Sequence, residues 1–310
     1  MGTNSILNSN FHIFINVNNQ KTHNINNKIF PKTELKNYQD GRYEGQIINN
    51  KREGKGKFYY SNGSIYIGDW KNDVREGKGI DNVYNGDKYE GDYKNDKREG
   101  KGIYYYHRGE KYVGDFKNDL PEGKGIYYFN NGDKYEGDFI YGNNDGKGIY
   151  YYKNGEKYVG DYKNGLKEGQ GIYYFNDGGL YFGQYKNDKI EGKGVFYGKN
   201  GDIYEGYFKN YKAEGNGVYY YHDGKKYVGE FKNNKKEGKG IFYWNDGDRY
   251  EGDWRNDYKE GKGIYYFNNG DRYEGDYRND NREGKGIYYF NNDDRMMGDY
   301  YNDKPIGKHV

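Results

Sequence analysis

Residues 89–111 read YEGDYKNDKREGKGIYYYHRGEK, and the same 23-residue pattern runs without insertion or deletion from Tyr43 to Arg295. That makes eleven full units, with a truncated twelfth from Met296 to Val310. Position 1 of the unit is Tyr in all eleven, from Tyr43 to Tyr273, and Met296 in the fragment. Positions 3 and 12 are Gly throughout (Gly45 to Gly298 and Gly54 to Gly307), and position 14 is Gly in every full unit, Gly56 to Gly286. Such a fixed period means that each unit packs mainly on its neighbours, so the chain is a linear array rather than a globule.

Within the unit the hydrophobic period is two. In Tyr89-Glu90-Gly91-Asp92-Tyr93-Lys94, the rings and Gly91 fall on one face and the charges on the other. In Gly100 to Tyr106, one face takes Gly100, Gly102, Tyr104 and Tyr106, and the other takes Lys101, Ile103 and Tyr105. Asn95 to Arg98, and segments such as Asn130 to Asp133 and Asn268 to Asp271, are rich in turn formers. The expected fold is therefore all-β: one elongated, twisted antiparallel sheet of consecutive hairpins, on the order of 100 Å long. Three glycines per unit weaken a strand unless something fills the space. The expectation is that rings from positions 1, 5, 16 or 18 lie across bare backbone, each ring burying 150–250 Å² or roughly 2–3 kcal/mol. Their hydroxyls need partners, which places these rings at a groove edge.

Composition agrees. Leu, Ile, Val and Phe make up only about 16% of 310 residues, low enough to suggest disorder, yet 44 Tyr lift the aromatic share to 20% and the net charge is +2. With 51 Gly, five Leu and the single Ala213, helix is excluded. Near-neutral charge argues against nucleic acid as partner. No Cys removes disulfides, thiolate metal sites and a Cys nucleophile. No apolar run reaches membrane-spanning length and no secretory leader is evident, so a cytoplasmic setting is expected. Domain boundaries are set at 1–42, an Asn-rich segment, and 43–310, the array. Phe11 to Val17 alternates as a candidate capping strand, the remainder of 1–42 reads as irregular, and Lys304-Pro305-Ile306-Gly307 reads as a turn that leaves half a hairpin at the far end.

The recurrent Y-x-G-x-aromatic followed by E-G-x-G-[IV]-Y resembles the MORN (membrane occupation and recognition nexus) repeat over residues 43–310. Two departures stand out: an acidic residue before the second glycine, where the family often has His or another polar residue, and a second Tyr (Tyr105, Tyr128, Tyr151), where it often has a small polar one. The resemblance implies a non-enzymatic scaffold in a ciliary or cytoskeletal assembly, with phosphoinositide or other anionic-membrane binding as the alternative.

The chemistry-bearing residues point the same way. His107 and His222 share one repeat position five units apart, roughly 50 Å, and cannot form one site. The acidic row Glu53, Glu76, Glu99, Glu122 is expected to pair with neighbouring Lys and Arg. No calcium loop, phosphate-cradling loop or catalytic carboxylate pair is evident, so neither metal nor cofactor is expected. The candidate site is a partner-binding groove along one face: Lys101, Lys124 and Lys147 at position 13, Ile103, Ile126, Ile149 and Ile172 at position 15, and Tyr105, Tyr128, Tyr151 and Tyr174 at position 17. An apolar stripe with a charged border suits a helix or extended peptide of another protein. Weaker expectations are a homodimer through a terminal strand edge, weak anionic lipid binding, and sugars stacked on the tyrosine row.

Overall fold

Described here from a computed structural model, residues 33–307 form a single antiparallel sheet of 25 strands, β1 to β25 in chain order, with no helix among them. Each strand pairs with the strand before and after it in sequence, as β6 (Lys88–Lys94) does with β5 (Val74–Asn82) and β7 (Lys97–Tyr105). Twenty-four spacings of about 4.8 Å give a ribbon about 115 Å long across the strands.

Two turn types alternate. At positions 7 and 8 the chain reverses in two residues, both with positive φ: Asn95 (49°) and Asp96 (65°). This is the geometry of a type I′ hairpin, and Asn and Asp tolerate it where most residues do not. The turn is thus Asn95-Asp96 alone, with Lys97 and Arg98 already in β7, shorter than the four-residue segment expected. The other reversal, around Gly109, is closed by Tyr106 N–H to the Glu110 carbonyl (3.0 Å) and Gly109 N–H to the Tyr106 carbonyl (2.9 Å).

The core is one face of the ribbon. Position-1 tyrosines lie buried from end to end, and each ring covers two glycines: a Cβ added to Gly91 or Gly102 would meet the Tyr89 hydroxyl at 2.4 or 2.5 Å. Position-5 rings fit between successive tyrosines, giving an edge-to-face ladder with centroid separations from 4.9 Å (Tyr112–Phe139) to 5.5 Å (Tyr181–Tyr185). A second row from positions 16 and 18 runs alongside, as in Tyr104–Tyr106–Tyr127–Phe129.

Several expectations need correction. The tyrosine hydroxyls do not bring the position-1 rings to a groove edge; from Tyr43 to Tyr250 each donates to the carbonyl three residues on, as Tyr89 does to Asp92 (2.9 Å) and Tyr112 to Asp115 (2.9 Å), so the ring is sealed and satisfied at once, with the buried Tyr273 hydroxyl as the exception. The position-12 glycine is not there for ring space. Gly100 has φ 69°, at a bulge where Gly91 pairs with Gly102 but Tyr93 pairs with Arg98, and that conformation is what calls for Gly. The Glu row does not pair with Lys or Arg: Glu99 accepts the Asn118 backbone N–H (3.1 Å) and Glu76 that of Asn95 (3.0 Å), so each carboxylate caps the turn of the following unit. Pro305 lies in β25 (Lys304–Ile306) beyond the turn Asn302-Asp303, not in the turn itself. At the other end Thr33–Tyr38, read as irregular, is strand β1 and pairs with β2 (Gly41–Ile48); the expected cap at Phe11 to Val17 lies outside the described residues.

One more device links units. The Asp at position 8 accepts the position-10 N–H of the preceding unit, as Asp119 does from Arg98 (2.9 Å). Where position 10 is Pro121, which has no N–H, position 8 of the next unit is Gly142, which has no side-chain acceptor.

Candidate functional site

The face opposite the tyrosine ladder carries positions 2, 4, 13, 15, 17 and 23. Strand pairing puts Ile103 beside Val113, Ile126 beside Val113 and Glu136, and Ile149 beside Glu136 and Val159. Ile103, Ile126, Ile149 and Ile172 therefore sit in one row across the strands, all half-buried. The row is broken at position 2 by Glu44, Glu90, Glu136, Glu205, Glu251 and Glu274 and continued in the other units by Ile, Val, Phe or Met, a variation visible in the sequence.

Lys101, Lys124 and Lys147 are exposed, but each is ion-paired with the Asp of the next unit: Lys101 with Asp115 (2.5 Å), Lys124 with Asp138 (2.6 Å), and Lys147 with Asp161. The same Asp also accepts a backbone N–H of its own unit, as Asp138 does from Lys147 (2.9 Å), so it staples the bulge and the neighbouring unit together. Tyr105 and Tyr174 are just exposed (36% each), and Tyr128 and Tyr151 half-buried. Every one of these rings has a position-23 cation over it: Lys111 is 4.4 Å from the Tyr128 centroid and Lys134 is 4.1 Å from Tyr151. The lysine border is thus locally neutral and the tyrosine row is partly covered.

A groove of about 1210 Å³ opens on this same face over units 227–296, lined by Ile241, Ile264, Ile287 and Met297 above the bare backbone of Gly263 and Gly286. It uses the repeat positions chosen from sequence but lies downstream of residues 101–174. Which units would open was not readable, because the repeat positions there are the same.

Electrostatics distinguish the two sides of the strands. Burial pushes the Tyr43 phenol up to about 12 against the opposing influence of Arg52, and burial raises Tyr66 and Tyr112 further. At the long turns, Asp202 is held down at about 2: burial acts to raise it, but the backbone N–H of His222, the Tyr219 hydroxyl, the His222 ring and Asn200 together outweigh that. The Tyr219 hydroxyl donates to Asp202 at 2.8 Å and His222 N–H at 2.8 Å. His107 has the same role against Asp87, so both histidines are turn residues bound to an acidic neighbour. Among the described residues no His, Cys, Asp and Glu group is placed to hold a metal, and no helix is long and apolar enough to cross a membrane.

The family model of the MORN repeat matches eleven consecutive stretches, 43–65, 66–80, and then 89–111 through 273–295 in steps of 23 residues. The match in the second unit stops short of Asp81 and Val83, which stand where the other units mostly carry the second row of rings; Asp81 is instead ion-paired with Arg75 (3.2 Å). No curated protein matches the chain. Solved structures similar to it include the Drosophila melanogaster SAS-4 TCP domain in complex with a proline-rich motif of Ana2 (16% identity, TM-score 0.33, 48% of this chain and 81% of that one). Others are the Danio rerio CPAP TCP10 domain with a STIL peptide (10%, 0.26, 87% and 100%) and a streptogramin B lyase (15%, 0.15, 87% and 83%). TM-scores this low carry no argument about what this chain binds.

Proposed function

The chain belongs to the MORN repeat family, and from that premise we propose that it is a non-enzymatic elongated scaffold that docks other proteins along its isoleucine face, in a ciliary or cytoskeletal setting within the cytoplasm. The observation that carries this reading is the inequality of the two faces. The ladder side is closed by ring-on-glycine packing, while the other offers a row of half-buried Ile and Val, interrupted by Glu, that opens into a groove of about 1210 Å³. The groove residues are Lys101, Ile103, Tyr105 and their equivalents in the units up to Tyr174, continued by Ile241, Ile264 and Ile287; the occupant is a helix or extended peptide, bound along several units in succession.

Anionic lipid is the second reading, and the ion pairs count against it. Each basic residue near an anionic surface is worth roughly 1 kcal/mol, but Lys101, Lys124 and Lys147 already face Asp115, Asp138 and Asp161. Sugar stacking is disfavoured because position-23 cations occupy the tyrosine faces. Dimerisation through an edge ranks below partner docking, since β25 has three residues and carries Lys304 and Pro305, both of which blunt strand addition. The test is affinity isolation with crosslinking from the native source, comparing the natural chain with a variant carrying Tyr105→Thr, Tyr128→Thr and Tyr151→Thr. A folded variant that loses the crosslinked partner supports the groove; unchanged capture refutes it. Vesicle sedimentation at two salt concentrations reads the lipid alternative separately.

A further inference from the structure

Positions 6 and 9 face each other across each two-residue turn of the short-turn edge, and in several units both are cationic, as in Lys94 and Lys97. Ile48 and Val74 interrupt this near one end of the ribbon and Tyr258 and Tyr301 near the other. In three consecutive units in the middle, one member of each facing pair is Leu or Ile: Leu120 opposite Lys117, Ile140 opposite Asn143, and Leu166 opposite Lys163. Between them, Tyr141 takes position 7, where all eleven other units have Asn, from Asn49 to Asn302. That position has φ 49°, a conformation Asn tolerates and a bulky ring does not favour, and Tyr141 is nevertheless 76% exposed. Leu120, Ile140 and Leu166 are exposed too. Pro121 packs this neighbourhood together, its carbonyl accepting the Gly142 N–H at 2.9 Å. The arrangement gives up both solubility and backbone comfort at one spot.

The next three units along the same edge do the opposite. Lys186 lies directly opposite Lys189, Lys209 opposite Lys212, and Lys232 opposite Lys235. All six are exposed, and like charges facing each other across a strand pair are unfavourable. Among the described residues no carboxylate is ion-paired with them, because the acids near them in sequence are engaged by backbone N–H groups: Asp188 by that of Lys167, Glu230 by that of Lys239, and Glu191, Glu214 and Glu237 by those of Asn210, Asn233 and Asn256, while Lys212 reaches the Asn233 side chain.

We propose that this edge, from Leu120 to Lys235, is a second docking surface, separate from the isoleucine groove, for an extended segment of another protein that carries an apolar stretch followed by an acidic run. The apolar residues cover Leu120, Ile140, Tyr141 and Leu166, and the carboxylates enter between the opposed lysines. The edge follows the twist of the sheet, which an extended chain tracks and a straight helix does not. From β9 (Leu120–Tyr128) to β19 (Lys235–Tyr243) is ten strand spacings, about 48 Å, which fits a segment of about fifteen residues at roughly 3.3 Å each.

The test is fluorescence anisotropy of the full chain with a labelled synthetic peptide of about fifteen residues, leucine alternating with serine in one half and glutamate with serine in the other. Binding is expected, weakened about tenfold by Ile140→Lys with Leu166→Lys and, separately, by Lys209→Ser with Lys232→Ser. The first pair installs the residue other units carry, so folding is not at issue. Tyr141→Asn is expected to raise Tm while weakening the peptide, which a purely structural role for Tyr141 would not produce. Affinity unchanged in both paired variants overturns the proposal, as does an all-glutamate-and-serine peptide that binds equally well. Phosphatidylserine vesicles that bind with the same lysine dependence while the peptide does not would assign the edge to a lipid surface and overturn it as well.

Discussion

The two faces of the ribbon are made by the same strands, one residue apart, yet they are chemically different objects. On the ladder side Tyr112 is fully buried, lies over Gly114 and Gly125, touches Phe116 and Phe139 edge-to-face and donates its hydroxyl to the Asp115 carbonyl. On the other side Ile126 is half-buried beside Val113 and Glu136, within reach of an incoming chain. On the proposed function, stability and recognition fall on opposite sides of a single layer. A one-layer sheet tolerates this because ring-on-backbone packing supplies a core without a second layer.

The contrast is broken most directly by paired truncations. Tyr112→Ala is expected to cost about 3–5 kcal/mol, read as lost hydrogen-exchange protection in β8 (Lys111–Lys117) through β10 (Lys134–Ile140), against about 1 kcal/mol for Ile126→Ala. Equal costs would abolish the distinction between the faces. Local exchange is the appropriate readout because a linear array need not unfold as one unit.

Alkaline titration sharpens the same contrast. A phenol whose folded pKa is raised contributes stability that is complete below its unfolded value near 10 and is lost as pH rises through the folded value, about 12 for Tyr43. Phenolate absorbance from the ladder is therefore expected to appear only together with loss of the strand signal in circular dichroism. Ladder ionisation while the sheet remains intact would contradict the sealed packing.

Smaller effects separate two tyrosines within the ladder. The Tyr158 hydroxyl donates to the Asp161 carbonyl (3.1 Å), whereas the buried Tyr162 hydroxyl has no partner among the described residues. Tyr158→Phe is expected to lose about 1 kcal/mol and Tyr162→Phe to gain up to about 1 kcal/mol in urea unfolding. Phe already stands at that position in Phe116 and Phe139. Smallest of all is an acid effect at the long turns. The depressed Asp202 contributes stability that is present above about pH 4 and lost as pH falls toward 2, and Asp202→Asn is expected to flatten that part of the profile.

Much of the fold was readable because the repeat is strict. A period of 23 with alternating rings and charges leaves no other economical arrangement than stacked hairpins, and Gly opposite Gly in every unit announces rings lying across them. The destinations of polar groups were not readable. Glu99 and Lys97 are near in sequence, but the bulge at Gly100 turns the Glu99 carboxylate toward the Asn118 N–H of the next unit. Lys101 likewise finds Asp115, 14 residues away, through strand register rather than through sequence proximity. The candidate site was legible as a set of repeat positions, while the cations over its tyrosines and the place where the groove opens were not.

By itself the sequence determined the unit, its two-faced strands and the linear array, since these follow from local periodicity and from the two turn chemistries. Tertiary structure alone decided where each hydroxyl, carboxylate and ammonium goes, because those pairings form between units. Register across the sheet brings together atoms that a single 23-residue pattern holds apart.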